Sequence, residues 1–311
     1  MIADDNESRT RREKMAFEVT KNGAKILLDR AFRLDDDATY TPISRGWVGI
    51  EQTTPLVTDT DLDRPIPIKE ADTELVDDCE TADWTQGTDS IAETLNSTSY
   101  IRGSNSLNLG KSGTTGTVFS YTKTTTSRDF TSKTLFLFVY VATLADLVAS
   151  GTAITIRFGS DSSNYYYKDI DIDDLSAGWN TLWVDQATAS TTGSPVVAAC
   201  DYSGIFFNTD LAADTVTLGD VRMDHWHLAS SGDFAEEFTT GYPSGPGDNL
   251  QIEARFAVLD TEGIGFDIDG VAYKNTDSGT PTTAAIAKHL VVGKDSTEQL
   301  IEVLKMRVRF T

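Results

Sequence analysis

Between Asp77 and Leu228 the chain is a succession of short, β-rich runs, and no other feature limits its fold so tightly. After an acidic opening, DDCETADW (Asp77 to Trp84), come RGSNSLNL (Arg102 to Leu109), KTLFLFVYV (Lys133 to Val141) and AITIRFGSD (Ala153 to Asp161). GWNTLWVD (Gly178 to Asp185), YSGIFFN (Tyr202 to Asn208) and VRMDHWHL (Val221 to Leu228) complete the series. Each run is rich in β-branched and aromatic residues and closed by Gly, Asp, Asn or Ser, as strands joined by turns are. The pattern predicts an all-β protein with a β-sandwich at its centre. No run carries a catalytic constellation, so presentation and binding come before chemistry.

The flanks read differently. Residues 1–14 are polar and highly charged and are expected to form a flexible arm. Met15, Phe17 and Val19 alternate, and Ala24 to Phe32 (AKILLDRAF) has the composition of a short helix. A strand is expected at Gly46 to Ile50, followed by an extended connection from Thr53 to Ile68, whose three prolines forbid a central strand. After the turn cluster YPSGPGDN (Tyr242 to Asn249), strands resume with LQIEARFAVLD (Leu250 to Asp260). Glu262 to Asn275 reads as a hairpin region. The last run, ending at Phe310, places Ile301, Val303, Met306, Val308 and Phe310 in apolar positions, with a slip of phase that predicts a bulge. The division that follows is a discontinuous, mainly β base (15–72 and 231–311) interrupted by a sandwich (73–230).

The 311 residues carry a net charge of −22, with 34 Asp against 14 Glu. Such a field repels nucleic acid and anionic membrane surfaces, so neither is an expected partner. No apolar stretch approaches the roughly 20 residues of a membrane span, and the charged N-terminus has no secretory h-region. Two cysteines, Cys79 and Cys200, are too few for a disulfide scaffold. They are expected as small buried thiols, although one bridge inside the sandwich is geometrically allowed.

Two resemblances add to this reading. WVGIEQTTPLVTDTDL (Trp47 to Leu62), with LQIEARFAVLDTEGIGFDIDGVAYKN and AKHLVVGKDSTEQLIEVLKMRVRF further on, resembles structural proteins of tailed phages, over about 55 residues before the sandwich and about 75 after it. It departs from them in having GIGFDIDGV where they place an acidic-Gly-Leu triplet. The resemblance implies a tail, fibre or capsid-surface component, assembled in the host cytoplasm into the virion beside other virion proteins, as a symmetric homo-oligomer. The central segment resembles jelly-roll carbohydrate-binding modules in its acidic opening, its Gly103-to-Leu107 strand, its Gly178-Trp179-Asn180 turn and its closing strand with Asp224. That implies a jelly roll, with a host-surface glycan as the alternative partner.

Asp77, Asp78 and Glu80 open the sandwich and Asp224 lies in its last strand. First and last strands of a jelly roll lie side by side, so these carboxylates are expected to converge. Similar modules hold a structural calcium there, helped by the loop at Ser104 and Asn105, and Ca²⁺ takes 6–8 oxygens; the alternative is a solvated acidic edge. Tyr165, Tyr166 and Tyr167 are the candidate sugar platform, because flat aromatics stack on sugar rings. Alternation lets either Tyr166 or the pair Tyr165 and Tyr167 face outward. The overall acidity leads us to expect a neutral or cationic glycan. Trp183 and Trp226 are expected in the core. His225 and His227, on one side of a strand, form a conceivable transition-metal pair but are expected at the surface. No nucleophile elbow or other catalytic motif occurs, and no enzymatic activity is expected.

Overall fold

The computed structural model of the protein describes residues 16–19, 43–50, 55, 62, 64–69, 74–237, 251–259, 262–275, 283–293 and 299–307. The expected arm, the helix at 24–32, most of the proline-containing connection and the turn cluster at 242–249 lie outside these residues. The described residues are almost entirely strands and turns, and the protein is all-β. Strands are numbered in chain order.

Residues 75–229 form two six-stranded sheets face to face. The front sheet runs β13 (Ser190–Thr192), β11 (Asn164–Asp171), β10 (Thr152–Asp161), β14 (Cys200–Asn208), β8 (Val118–Arg128), β5 (Thr85–Gln86). The back sheet runs β12 (Gly178–Asp185), β9 (Thr134–Val141), β15 (Val216–Ala229), β7 (Ser106–Lys111), β6 (Thr94–Asn96), with β4 (Leu75–Asp77) also on β15. First and last strands therefore meet, with Asp77 opposite Trp226. Alternate residues point between the sheets, as period-2 geometry requires. Ile154, Ile156 and Phe158 of β10 meet Leu135, Leu137 and Val139 of β9 in one buried cluster. Trp226 is fully buried there, its ring 5.1 Å from Trp84. Cys79 and Cys200 are buried and unbridged.

A third sheet is built from both flanks. Its order is β1 (Ala16–Val19), β19 (Thr283–Gly293), β18 (Asp267–Asn275), β2 (Ile43–Ile50), β16 (Ala235–Glu237), with β3 (Arg64–Pro65) on β2. β2 precedes the sandwich in sequence and β18 follows it, yet they pair antiparallel from Gly270–Gly49 to Asn275–Ile43. β17 (Gln251–Val258) pairs separately with β20 (Leu300–Arg307). Phe256 of β17 lies against Gly46, where any side chain would collide with its ring.

Two local expectations are corrected. Glu262 to Asn275 is not a hairpin in itself: Gly263 and Gly265, at φ of 60° and 86°, make a turn that leads into the single strand β18, whose hairpin partner is β19. The register of β17 on β20 runs unbroken, so the slip of phase in the last run makes no bulge. Instead Ile301 faces out at 43 % exposed while Glu302 is buried.

The flanking strands cover part of the sandwich. On β9, Leu135, Leu137 and Val139 point inward, whereas Phe136 and Phe138 point out of the back sheet into a second apolar cluster with Val48, Ile66, Phe256, Phe266 and Ile268. Phe266 lies 5.9 Å from Phe136 and 5.3 Å from Phe138. Burying a phenyl ring contributes about 1.5–3 kcal/mol, so this seam is a core in its own right.

Candidate functional site

The front sheet carries the opposite arrangement on its outer side. With Ile205 and Phe207 of β14 pointing in, Tyr202, Gly204 and Phe206 point out. With Ile156 and Phe158 of β10 pointing in, Arg157 and Gly159 point out. Register then aligns them across the sheet: Ser190, Tyr167, Arg157, Gly204, Thr122 and Thr85 form one row. Thr192, Tyr165, Gly159, Tyr202 and Thr124 form the next. The middle of each row is a glycine. A Cβ at Gly204 would come within 2.9 Å of the Phe206 ring and 3.1 Å of the Tyr202 hydroxyl. The result is an aromatic-walled floor with hydroxyl-bearing residues at its edges.

Of the tyrosine run, the pair Tyr165 and Tyr167 faces outward, half-buried, with ring centroids 6.0 Å apart. Tyr166 points inward, opposite Phe158, and its ring meets Phe130 edge-on at 5.4 Å. As a sugar platform Tyr166 is thereby corrected: strand alternation commits it to the core cluster. Tyr202 stands 6.3 Å from Tyr165, and burial raises its phenol pKa above the ordinary value.

Arg157 lies among these rings. Its guanidinium carbon is 3.6 Å from the Phe206 ring centroid and 4.6 Å from that of Tyr165, a stacking geometry suited to a planar cation. Its positive charge, close to Tyr202, acts against the effect of burial on that phenol. The Nε of Arg157 is buried and has no acceptor.

The four acidic residues at the opening and closing strands do not form one cage. Asp224 is fully buried; its Oδ2 accepts from the backbone N–H of Ile101 (2.7 Å) and Arg102 (3.0 Å), and its Oδ1 has no partner. Glu80 grips the same loop two residues on. Its Oε1 accepts from the N–H of Ser104 (2.5 Å) and Asn105 (3.0 Å), and its Oε2 from the Asn105 amide (2.8 Å). Gly103, at φ of 70°, sits between the two grips, and a side chain there would collide with Glu80. Asp77 instead accepts from the Cys79 N–H at 2.8 Å and pairs with Lys123. Asp78 is exposed and accepts from the N–H of Glu80.

Among the described residues no group of three or more His, Cys, Asp or Glu side chains is arranged to hold a metal ion. The four-carboxylate calcium set therefore does not fit this geometry, in which Glu80 and Asp224 act as loop clamps. Burial drives the Asp224 carboxyl up to about 7, aided by Glu80 and opposed by the two N–H donors and Arg102. For Glu80 burial pushes upward, but the Ser104 and Asn105 donors prevail and hold it below the usual range.

His225 and His227 do not lie at the surface as expected. His227 is fully buried under the seam, its ring 5.7 Å from Phe136. His225, at φ of 47° in a bulge of β15, is 3.0 Å from an Arg102 guanidinium nitrogen. Burial, then Arg102, lowers His225 to about 3 and His227 well below its ordinary value, so both are neutral. Arg102 also donates to the Ile264 carbonyl at 2.9 Å, tying the sandwich loop to the turn before β18. The side chain of His289 lies outside the described residues. Trp183, expected in the sandwich core, packs instead against the seam.

No family model matches the chain, and no curated protein is similar to it in sequence. Among solved structures, a family 11 carbohydrate-binding module from Clostridium thermocellum is similar at 10 % identity and TM-score 0.37, over 50 % of this chain and 95 % of that one. A xylan-binding family 22 module from Paenibacillus barcinonensis Xyn10C is similar at 13 % identity and TM-score 0.27, over 50 % and 90 %. The glycoside hydrolase domain of Endo-D from Streptococcus pneumoniae R6 is similar at 13 % identity and TM-score 0.33, over 72 % and 37 %. The β-sandwich rests on its own strand pairing.

Arg157, Tyr202, Phe206 and the two glycines were missed in sequence. The signal was available in the alternation of AITIRFGSD and YSGIFFN, where every second residue of a strand shares a face.

Proposed function

We propose that this protein is a non-enzymatic display protein whose sandwich binds glycan on the outer side of the front sheet. The supporting observation is the pair of cross-strand rows that places Tyr165, Tyr167 and Tyr202 around the Gly159–Gly204 floor. Aromatic walls stack on sugar rings, while Thr and Ser hydroxyls at the edges exchange hydrogen bonds with sugar hydroxyls. Tyr165 and Tyr167, half-buried beside the buried Tyr202 on a glycine-floored face, suit a ligand laid along the sheet. The test is binding of the full-length protein to a glycan array, repeated with Tyr165→Ala and Tyr167→Ala. Binding that survives both substitutions, or no binding to any glycan, refutes the reading.

The flank resemblance supplies the setting: a component of a tailed virus particle, with the flanking strands toward the particle and the front sheet outward. Supporting this orientation is the asymmetry of the sandwich among the described residues, where the flanking strands bury part of the back sheet and none of them packs on the front sheet. Mass spectrometry of purified particles tests it. The protein should be present at a copy number set by a three-, five- or six-fold position, and its absence from particles would remove this setting without touching glycan binding.

A further inference from the structure

Arginine pairing singles out one cation on the front sheet. The chain holds 48 acidic residues against 26 basic ones, so a cation here has acid partners in excess. Lys123 takes Asp77 and Asp83, and Lys133 takes Glu74. Arg222 projects from the back sheet and provides a direct comparison. It stacks on Tyr140 at 4.3 Å, as Arg157 stacks on Phe206 and Tyr165, but its Nε donates to Asn108 at 3.2 Å. Asn108 is in turn held by Asn96 and Thr94. That row is closed on itself. Arg157 has the same stacking, no carboxylate partner among the described residues and an Nε without an acceptor.

We propose that Arg157 selects a glycan bearing carboxylates, a uronate-type polymer, on the front sheet; this rests on the glycan-binding reading above. Three physical points lead there. First, a guanidinium held flat between two rings has lost its rotamer freedom before any ligand arrives, and its donor fork matches a carboxylate better than any other common sugar substituent. Second, no carboxylate pairs with Arg157 among the described residues, and a guanidinium bonds a charged acceptor more strongly than a hydroxyl. Third, the overall charge does not forbid it. Exposed charges beyond the Debye length of about 8 Å at physiological salt are largely screened, so the −22 of the whole chain slows encounter more than it weakens contact. Asp169, on the same face of the neighbouring strand, accepts from the Thr155 hydroxyl at 2.6 Å. This reverses the expectation, drawn from net charge alone, of a neutral or cationic ligand.

The experiment uses the full-length protein with polygalacturonate, alginate and hyaluronan, each beside its carboxyl-reduced neutral form, and with a neutral glycan array. We expect at least one acidic polymer to bind tenfold or more tightly than its reduced form. That preference should vanish in Arg157→Gln and fall partway in Arg157→Lys, which keeps the charge but not the fork, while Tyr165→Ala should weaken both forms alike. Thermal melting separates loss of fold from loss of preference, and the Lys variant still reports if the Gln variant does not fold. Equal binding of acidic and reduced forms, or a preference that persists in Arg157→Gln, overturns the inference. Binding confined to neutral array glycans and sensitive to Tyr165→Ala overturns it while leaving the glycan-binding reading intact; binding to nothing at all overturns both.

Discussion

The two sheets of the sandwich are built from similar strands, yet their outer sides have opposite fates. On the back sheet, Phe136, Phe138 and Trp183 meet a second apolar layer brought by residues from both ends of the chain. On the front sheet, Tyr165, Tyr167, Tyr202 and Arg157 meet no such layer among the described residues. Phe136 and Phe138 carry no polar atom, and burial against the second layer is their main stabilisation. Tyr165, Tyr167 and Tyr202 on the front sheet each carry a hydroxyl, a polar edge that Phe136 and Phe138 lack. What distinguishes a cover from a site here is the polar handle on the ring.

That contrast predicts its largest effect on stability. Phe138→Ala should destabilise the protein by about 3–5 kcal/mol, as deletion of a buried phenyl does. Tyr167→Ala, half-buried on the open side, should cost roughly 1 kcal/mol or less. Urea unfolding of the two variants checks this, and equal losses would mean that the two sides are not energetically distinct. An excised segment of residues 73–230, the unit proposed as the sandwich, should unfold at lower urea than the same strands in the full chain, because it bares the phenyl rings of the seam. If the excised segment equals the full chain in stability, the flanking layer is only loosely applied.

The next effect is one of pH and belongs to the covered side. His225, lowered to about 3, and His227, lowered well below its ordinary value, stay neutral in the folded protein while the unfolded chain protonates both below about 6.5. Asp224, raised to about 7, works in the other direction: folded protein binds its proton as pH falls through 7, and the unfolded chain only near 3.9. Between pH 6.5 and 3.9 the unfolded state therefore gains two protons where the folded state holds one. Stability should fall on acidification by at most about 1.4 kcal/mol per pH unit in that window. Asp224→Asn removes the opposing proton and should steepen the loss. Urea midpoints taken from pH 7.5 to 4 decide it; a flat profile would mean that the histidines are reached by water and the seam is not sealed.

Smaller again is the effect expected at the open side. Loss of either Tyr165 or Tyr167 should weaken glycan binding by about tenfold, near 1.4 kcal/mol, with Tm almost unchanged. Tyr166→Ala should do the reverse, lowering Tm through its contact with Phe130. Isothermal titration beside thermal melting separates the two. A Tyr166 variant that lost affinity at unchanged Tm would exchange the inner and outer sides of β11.

How much of this was legible follows from period. β strands announce themselves by composition and turn residues, so the strands of residues 75–229 could be read from the chain. Which side of a strand meets solvent depends on what covers it, and the covering layer is distant in sequence. For β9 the cue was present, since Leu135 to Val141 has no polar residue until Tyr140 and an unbroken apolar run fits a strand buried on both sides. The Asp224 and Glu80 clamp was half legible. Strand order brought both acids to one loop, but whether a carboxylate meets a cation or a row of N–H donors is settled by backbone direction at Ile101 to Asn105, which no composition reports.

The smallest expected effect concerns calcium, at the edge of the same seam. If Glu80 and Asp224 serve as clamps, five N–H donors already fill three of their four oxygens. A cation would have to displace donors or make do with Asp224 Oδ1, far short of the 6–8 oxygens that Ca²⁺ takes. Protein stripped of metal should then melt at the same temperature with millimolar Ca²⁺ as with chelator, and Asp224→Ala should lower Tm equally under both. Binding to the folded state alone would raise Tm by mass action. A rise on adding Ca²⁺ that disappears in Asp224→Ala would therefore show that the loop turns its carbonyls inward around an ion. In that event the Asp224 carboxyl would be ionised at neutral pH, and its opposing contribution to the acid profile would be lost as well. The two measurements thus test one another, because a calcium-dependent Tm and an Asp224-dependent acid profile cannot both hold in the same sample.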